Sequence, residues 1–238
     1  MTGKKYMAEL AGTFILTFVI TAAVVSSKAI SGGPFGIGGM IAVGLAAAIA
    51  LIAVVYSIGH ISGAHVNPAV TIAMWASGKM KARDVLPYIV AQLVGATIAG
   101  LFLWAVAGPA YGLGETTAGM FGTRGALGME FLATAMLVFV ILAVTAKGSE
   151  HAGLVIGLYL GAAQLFAIPF SGASLNPARS FGPAVLAGGQ AWSQLWIYFA
   201  GPIIGAIIGL LAYRVFLADS RRAAPALKPA GKKKQVVR

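Results

Sequence analysis

The sequence predicts an all-α membrane protein: six transmembrane helices plus two re-entrant half-helices, arranged as an inverted 3+3 repeat. Composition, the spacing of apolar runs and an internal duplication carry that prediction. Of 238 residues, 59% are hydrophobic and 10% charged, against roughly 25% charged in an ordinary soluble domain. A soluble globular fold is excluded. Cysteine is absent, which removes disulfide frameworks, thiolate metal sites and thiol catalysis together. The net charge of +11 would suit nucleic acid only with a basic surface interleaved with reading residues. Here the basic residues sit between apolar spans, so the expected partner is a lipid bilayer and no nucleic acid.

Hydropathy puts spans near Tyr6 to Ser27, Gly38 to Ile58, Val85 to Ala107, Ala126 to Lys147, Gly153 to Pro169 and Leu195 to Leu217. Each approaches the roughly 20 residues that cross a hydrocarbon core. Backbone inside lipid must satisfy its own hydrogen bonds, which makes these spans helices. The alternating ten-residue segments of a barrel are not visible. The first span is too long, and lacks the small-residue cleavage site, for a removed signal peptide. It is expected to remain as an anchor. With six spans both termini share one side, and 14 of the 17 Lys and Arg residues fall there. The excess predicts cytoplasmic termini in a plain plasma or inner membrane. Residues 1–217 form one transmembrane domain, and 218–238 read as a disordered basic tail that serves positive-inside anchoring.

The internal duplication is more informative than hydropathy. Ala8-Glu9-Leu10-Ala11-Gly12-Thr13 resembles Met129-Glu130-Phe131-Leu132-Ala133-Thr134. Ser62-Gly63-Ala64-His65-Val66-Asn67-Pro68-Ala69 resembles Ser171-Gly172-Ala173-Ser174-Leu175-Asn176-Pro177-Ala178, and Tyr88 with Gly95-Ala96 resembles Tyr198 with Gly205-Ala206. The offsets are 121, 109 and 110, so the opening connection around Ser26 to Gly39 is expected to be about a turn longer than its counterpart. The repeats cover about 6–107 and 126–217. Each holds three spans, an odd number, so the second is inverted relative to the first. Inverted repeats belong to channels and transporters, with the substrate path between the halves.

After each Asn-Pro-Ala comes a short apolar stretch, Val70 to Ala76 and Ser180 to Ala187. About ten helical residues reach roughly 15 Å, half of a 30 Å core. Two half-helices from opposite faces would make one crossing. Pro68 and Pro177 suit a first helical position, and Asn67 and Asn176 the cap before it. The helix starts then meet at the midplane, each with roughly half a positive charge, a barrier to cations. The asparagine amides offer donors. The stretches Gly63 to Val66 and Gly172 to Leu175, with the carbonyls of Gly63, Ala64, His65, Gly172, Ala173 and Ser174, offer acceptors. A narrow path of this kind fits a small, neutral, hydrogen-bonding permeant.

At this point the resemblance becomes specific. The paired Asn67-Pro68-Ala69 and Asn176-Pro177-Ala178 motifs, with Arg179 after the second, resemble those of the major intrinsic protein family, the aquaporins and aquaglyceroporins. The likeness extends over nearly the whole chain to about Leu217. It implies a homotetramer with one pore per subunit and no cofactor. It also implies selectivity from pore diameter, lining hydrogen bonds and electrostatic barriers, as is established for aquaporin-type pores. Carried over by spacing, the family's constriction falls on Ala47, Gln164, Ala173 and Arg179. Strict water channels of the family usually place a Phe and a His at the first two positions, and glycerol channels a Trp and another aromatic in the ring. This chain has neither. Small side chains at Ala47 and Ala173 are expected to widen the opening, while Gln164 replaces a titratable ring with a neutral donor and acceptor. Against that, Ser180, Ala184 and the pair Tyr198-Phe199 resemble the water-type pattern, and glycerol-type relatives tend to carry an Asp directly after the arginine.

Glu9 and Glu130, at equivalent repeat positions, are the carboxylates inside the predicted spans. A proton relay is one reading; the preferred one is that each accepts backbone N–H bonds and supports a re-entrant loop. Arg179 costs several kcal/mol in lipid unless it meets water or partners, which is met by a vestibule or by loop carbonyls. His60 and His65 are spaced wrongly for two ligands on one helical face, and no carboxylate completes a metal site. His151 reads as a solvated loop histidine. No phosphate loop, nucleophile with a base or paired catalytic acids appears, so an enzyme is not expected. The sequence therefore predicts passive water conduction through a permissive filter. The alternatives are a broad facilitator for glycerol, urea or ammonia and, in another class, an ion-coupled secondary transporter. The transporter lacks the further intramembrane charges that ion coupling needs.

Overall fold

The computed structural model describes residues 2–146 and 148–218. Lys147 and the tail predicted as disordered, beyond Ala218, lie outside the described residues. Among the described residues, six helices are long and apolar enough to cross a membrane. They are α1 (Thr2–Ser31), α2 (Ile37–Ser62), α4 (Ala82–Ala107), α5 (Gly122–Ala146), α6 (Ala152–Ser171) and α9 (Ile197–Tyr213), the last continuing through a π-helical turn, Arg214–Ala218. Two short helices, α3 (Pro68–Ala76) and α7 (Pro177–Ala187), follow the duplicated motifs, and a one-turn helix α8 (Gly189–Ser193) precedes α9. No strand occurs among the described residues.

Most spans extend beyond their hydropathic limits because a helix does not stop at the edge of lipid. It stops where backbone chemistry ends it. α1 passes the predicted end at Ser27 and Lys28 and ends only before Gly32-Gly33-Pro34. α2 and α6 each end on a left-handed glycine, Gly63 (φ 87°) and Gly172 (φ 73°), where a Cβ is disfavoured. The longer opening connection is corrected. The surplus of the first repeat is helical, since α1 and α2 have 30 and 26 residues against 25 and 20 in α5 and α6. The α1–α2 hairpin thus projects farther than the α5–α6 hairpin.

Packing follows the repeat. α1 lies on α4 as α5 lies on α9, and α2 crosses α6 between the halves. Small residues permit these crossings, as lipid supplies no hydrophobic drive between helices. A Cβ on Gly95 would collide with the Leu10 carbonyl, and one on Gly205 with the Phe131 carbonyl. These are the same contact in the two repeats. One buried cluster joins the halves, from Leu16, Val43 and Leu51 to Leu137, Leu160 and Leu175. The two re-entrant segments sit within it.

Candidate functional site

α3 and α7 begin in the same way. Asn67 (φ −160°, ψ 121°) and Asn176 (φ −148°, ψ 109°) are N-caps, with Pro68 and Pro177 at the first helical position. The Asn67 Oδ1 accepts from Ala69 N at 2.9 Å, and the Asn176 Oδ1 from Ala178 N at 3.0 Å. That contact fixes which end of each amide faces its own helix. The opposite ends cross over: Asn67 Nδ2 donates to the Leu175 carbonyl and Asn176 Nδ2 to the Val66 carbonyl, both at 2.8 Å. The two helix starts therefore face each other, each amide donating to the other repeat. An amide nitrogen carries two hydrogens, so one N–H on each asparagine remains without a protein acceptor among the described residues. With 9 and 11 residues, α3 and α7 measure about 14 and 17 Å at 1.5 Å per residue. Together they match one roughly 30 Å crossing.

The segments before these caps hold an uncommon backbone. Ala64 (φ 48°), Val66 (φ 43°), Ala173 (φ 53°) and Leu175 (φ 55°) are all left-handed, a region that disfavours side chains and β-branched ones most. The surrounding structure must over-determine it. Glu9 accepts from Ser62 Oγ (2.7 Å) and His65 N (2.9 Å) on Oε1, and from Val66 N (2.7 Å) and Gln92 Nε2 (2.8 Å) on Oε2. Glu130 accepts from Ser171 Oγ (2.7 Å) and Ser174 N (2.8 Å) on Oε1, and from Leu175 N (2.7 Å) on Oε2. Both carboxylates are fully buried. Tyr88 and Tyr198 donate to the Ser62 and Ser171 carbonyls, each at 2.8 Å. With the N–H groups turned to the glutamates, the carbonyls of Gly63, Ala64, His65, Gly172 and Ser174 take no donor among the described residues, while Ala173 accepts from Gln164 Nε2 at 3.2 Å.

A cavity of about 90 Å³ borders these segments, its lining including Asn67, Asn176, Arg179 and Thr145. Val70, Ile141 and Ile156 are among its apolar walls. Arg179 borders it at 1% exposure, and its Nη1 donates to the Gly114 carbonyl at 2.7 Å. Ala47, Gln164 and Ala173, exposed by 1% or less, are packed among neighbours and are not part of that lining. Two atoms of the predicted filter, Gln164 Oε1 and Arg179 Nε, are buried without a hydrogen-bond partner among the described residues, as are polar atoms of Thr13, Thr17, Gln92 and Thr134. An ordered water is one way such atoms are satisfied.

Several participants have no signature in the sequence. Gly114 lies in the irregular connection between α4 and α5. In the same connection Thr116 meets Ser180 Oγ at 2.6 Å; Ser180 donates to Ser174 Oγ (2.6 Å) and Ser174 to the Asn176 carbonyl (2.8 Å). The serine hydroxyls being spent, Thr116 is the donor at its end. Gln92 has a weak signal, a lone amide in an apolar span, and its repeat counterpart is Pro202. Glu130 therefore lacks the amide that Glu9 receives. Asp84, left outside the predicted third span, sits in the first turn of α4 and pairs with Lys5 at 2.7 Å.

Comparison with known proteins gives a consistent result. The model of the major intrinsic protein family matches residues 2–213. Glycerol uptake facilitator protein-like 6 of Lactiplantibacillus plantarum is 41% identical, the match covering 89% of this chain and 97% of that protein. Aquaporin Z of Rhodopseudomonas palustris is 39% identical over 90% of this chain and 94% of its own. The X-ray structure of the aquaglyceroporin from Plasmodium falciparum has the same fold, with a TM-score of 0.83 at 22% identity, covering 94% of this chain and 100% of that one. The chain belongs to the major intrinsic protein family.

Proposed function

We propose that the protein is a passive channel for water whose filter also admits small neutral solutes. Membership of the major intrinsic protein family supports the channel reading over an enzymatic one. The choice of permeant rests on one observation, the reciprocal bonds of Asn67 and Asn176 that hold two helix starts face to face. Each start contributes roughly half a positive charge, so a cation or hydronium meets repulsion where it has also lost its hydration shell. A neutral molecule loses little there, because the spare amide N–H groups donate to it and the unfilled loop carbonyls accept from it.

In this reading Glu9 and Glu130 brace the two loops, and Ala47, Gln164, Ala173 and Arg179 form the filter. Gln164 Oε1 and Arg179 Nε supply one acceptor and one donor to whatever passes, and the methyl groups of Ala47 and Ala173 exclude less volume than rings would. Four such chains form a homotetramer, with cytoplasmic termini in a plasma or inner membrane. Stopped-flow light scattering of proteoliposomes tests the permeant. The reading predicts fast shrinkage under an impermeant osmolyte, then re-swelling with glycerol or urea. Shrinkage without re-swelling contradicts the permissive filter, and uphill accumulation of any solute contradicts a passive channel.

A further inference from the structure

A second cavity, of about 260 Å³, opens on the face of the membrane that carries the N-terminus, between the starts of α1 and α4. Its lining holds four cationic residues, Lys5, Lys79, Lys81 and Arg83, against one carboxylate, Asp84. That carboxylate is already engaged. Lys5 Nζ lies 2.7 Å from its Oδ2, and Tyr6 donates to its Oδ1 at 2.8 Å. Lys79 Nζ donates to Thr145 Oγ1 at 3.1 Å. The side chains of Lys81 and Arg83 make no hydrogen bond or salt bridge among the described residues and are exposed. The back wall is polar. His65, 8% exposed, borders both this cavity and the pore. Its Nδ1 is 3.3 Å from Thr71 Oγ1, and its Nε2 has no hydrogen-bond partner among the described residues.

From this we infer that the cavity is a binding site for a phosphate group. Like charges gathered around a concave polar space attract a counter-anion. Phosphate suits separated lysines and an arginine because its several oxygens accept from each at once. The site lies where apolar spans begin, at the depth of lipid headgroups, where basic pockets between helices take anionic lipids. A free phosphate carries the same chemistry. Either occupant would rest against Ser62 and His65, behind the first re-entrant segment, with Tyr88 joined to that segment through the Ser62 carbonyl. The inference does not depend on which solute the pore passes.

The test uses the full-length protein. After reconstitution in mixed phosphatidylglycerol and phosphatidylcholine and return to detergent, native mass spectrometry should find phosphatidylglycerol retained preferentially. Lys81→Gln with Arg83→Gln should weaken that retention about thirtyfold, the size expected for two cationic contacts near a membrane surface. The pair Lys28→Gln with Arg124→Gln, which removes as much charge elsewhere, should leave it unchanged. A second arm titrates delipidated protein with inorganic phosphate against chloride at constant ionic strength. A rise in melting temperature that requires Lys81 and Arg83 assigns the site to free phosphate as well, and lipid retention alone assigns it to the headgroup. Because the variants can fail to fold, a photoreactive phosphatidylglycerol analogue is also applied to the unaltered protein. It should label residues 79–84 in preference to 28–36. Equal labelling, no lipid preference in either protein together with no phosphate effect, or equal losses in both variant pairs overturns the inference.

Discussion

At the scale of single residues, the strongest dependence is on the two buried glutamates. Each oxygen of Glu130 faces a backbone N–H, from Ser174 or Leu175. Glu130→Gln places an amide NH2 against one of them and leaves a buried donor unmet, at a cost of about 1–3 kcal/mol. The expected result is a lower melting temperature and reduced water flux per folded protein, read by thermal unfolding in detergent and by stopped-flow. Unchanged stability and flux would show that the loop holds its left-handed residues without the carboxylate. Ala47→Phe addresses the filter. It should reduce glycerol or urea flux more than water flux, and equal loss of both in folded protein would count against a filter at that position. Overpacking costs about 1–3 kcal/mol in a tight core, and Ala47 is fully buried, so Ala47→Val is the milder companion with the same ordering expected.

At the scale of elements, helix contacts are set by glycines that meet carbonyls. Gly205→Leu drives a side chain into the Phe131 carbonyl and should separate α9 from α5, lowering the yield of folded protein. Gly128→Ala, on α5 with nothing within 4 Å of the added carbon, should leave yield unchanged, with at most a gain of about 1 kcal/mol from helix propensity. Size-exclusion profiles and melting temperatures of the two variants check this; similar losses in both would mean that the α5–α9 contact is not decisive. The elements were largely legible in advance. Apolar runs, the Asn-Pro pairs and the duplication carry the spans and half-helices, because length, capping and periodicity act locally. The extension of α1 through Lys28 was not legible, since hydropathy reports where lipid ends and not where helical backbone does. Nor were the left-handed Val66 and Leu175, whose side chains argue against that conformation; partners distant in sequence hold it, Glu9 and Glu130 on their N–H groups and Asn176 and Asn67 on their carbonyls. Gly114 and Thr116 lie in an aperiodic connection, so their contacts with Arg179 and Ser180 have no local signature.

At the scale of the molecule, inversion of the repeat does what one repeat cannot. A single half-helix would end in mid-membrane with unpaired N–H groups, a state lipid does not tolerate. Two of them, entering from opposite faces, direct those groups at one another and at the pore, while Asn67 and Asn176 tie the halves together at 2.8 Å. In the proposed reading, the same geometry that completes the crossing creates the electrostatic barrier, and what is neutral and small passes it.

The most direct test of that claim measures water and proton movement in the same proteoliposomes, with stopped-flow scattering for water and an entrapped pH dye under a potassium-valinomycin potential for protons. The account predicts water permeability well above that of empty vesicles and proton entry no faster than in them. A proton flux that scales with the amount of protein would contradict it.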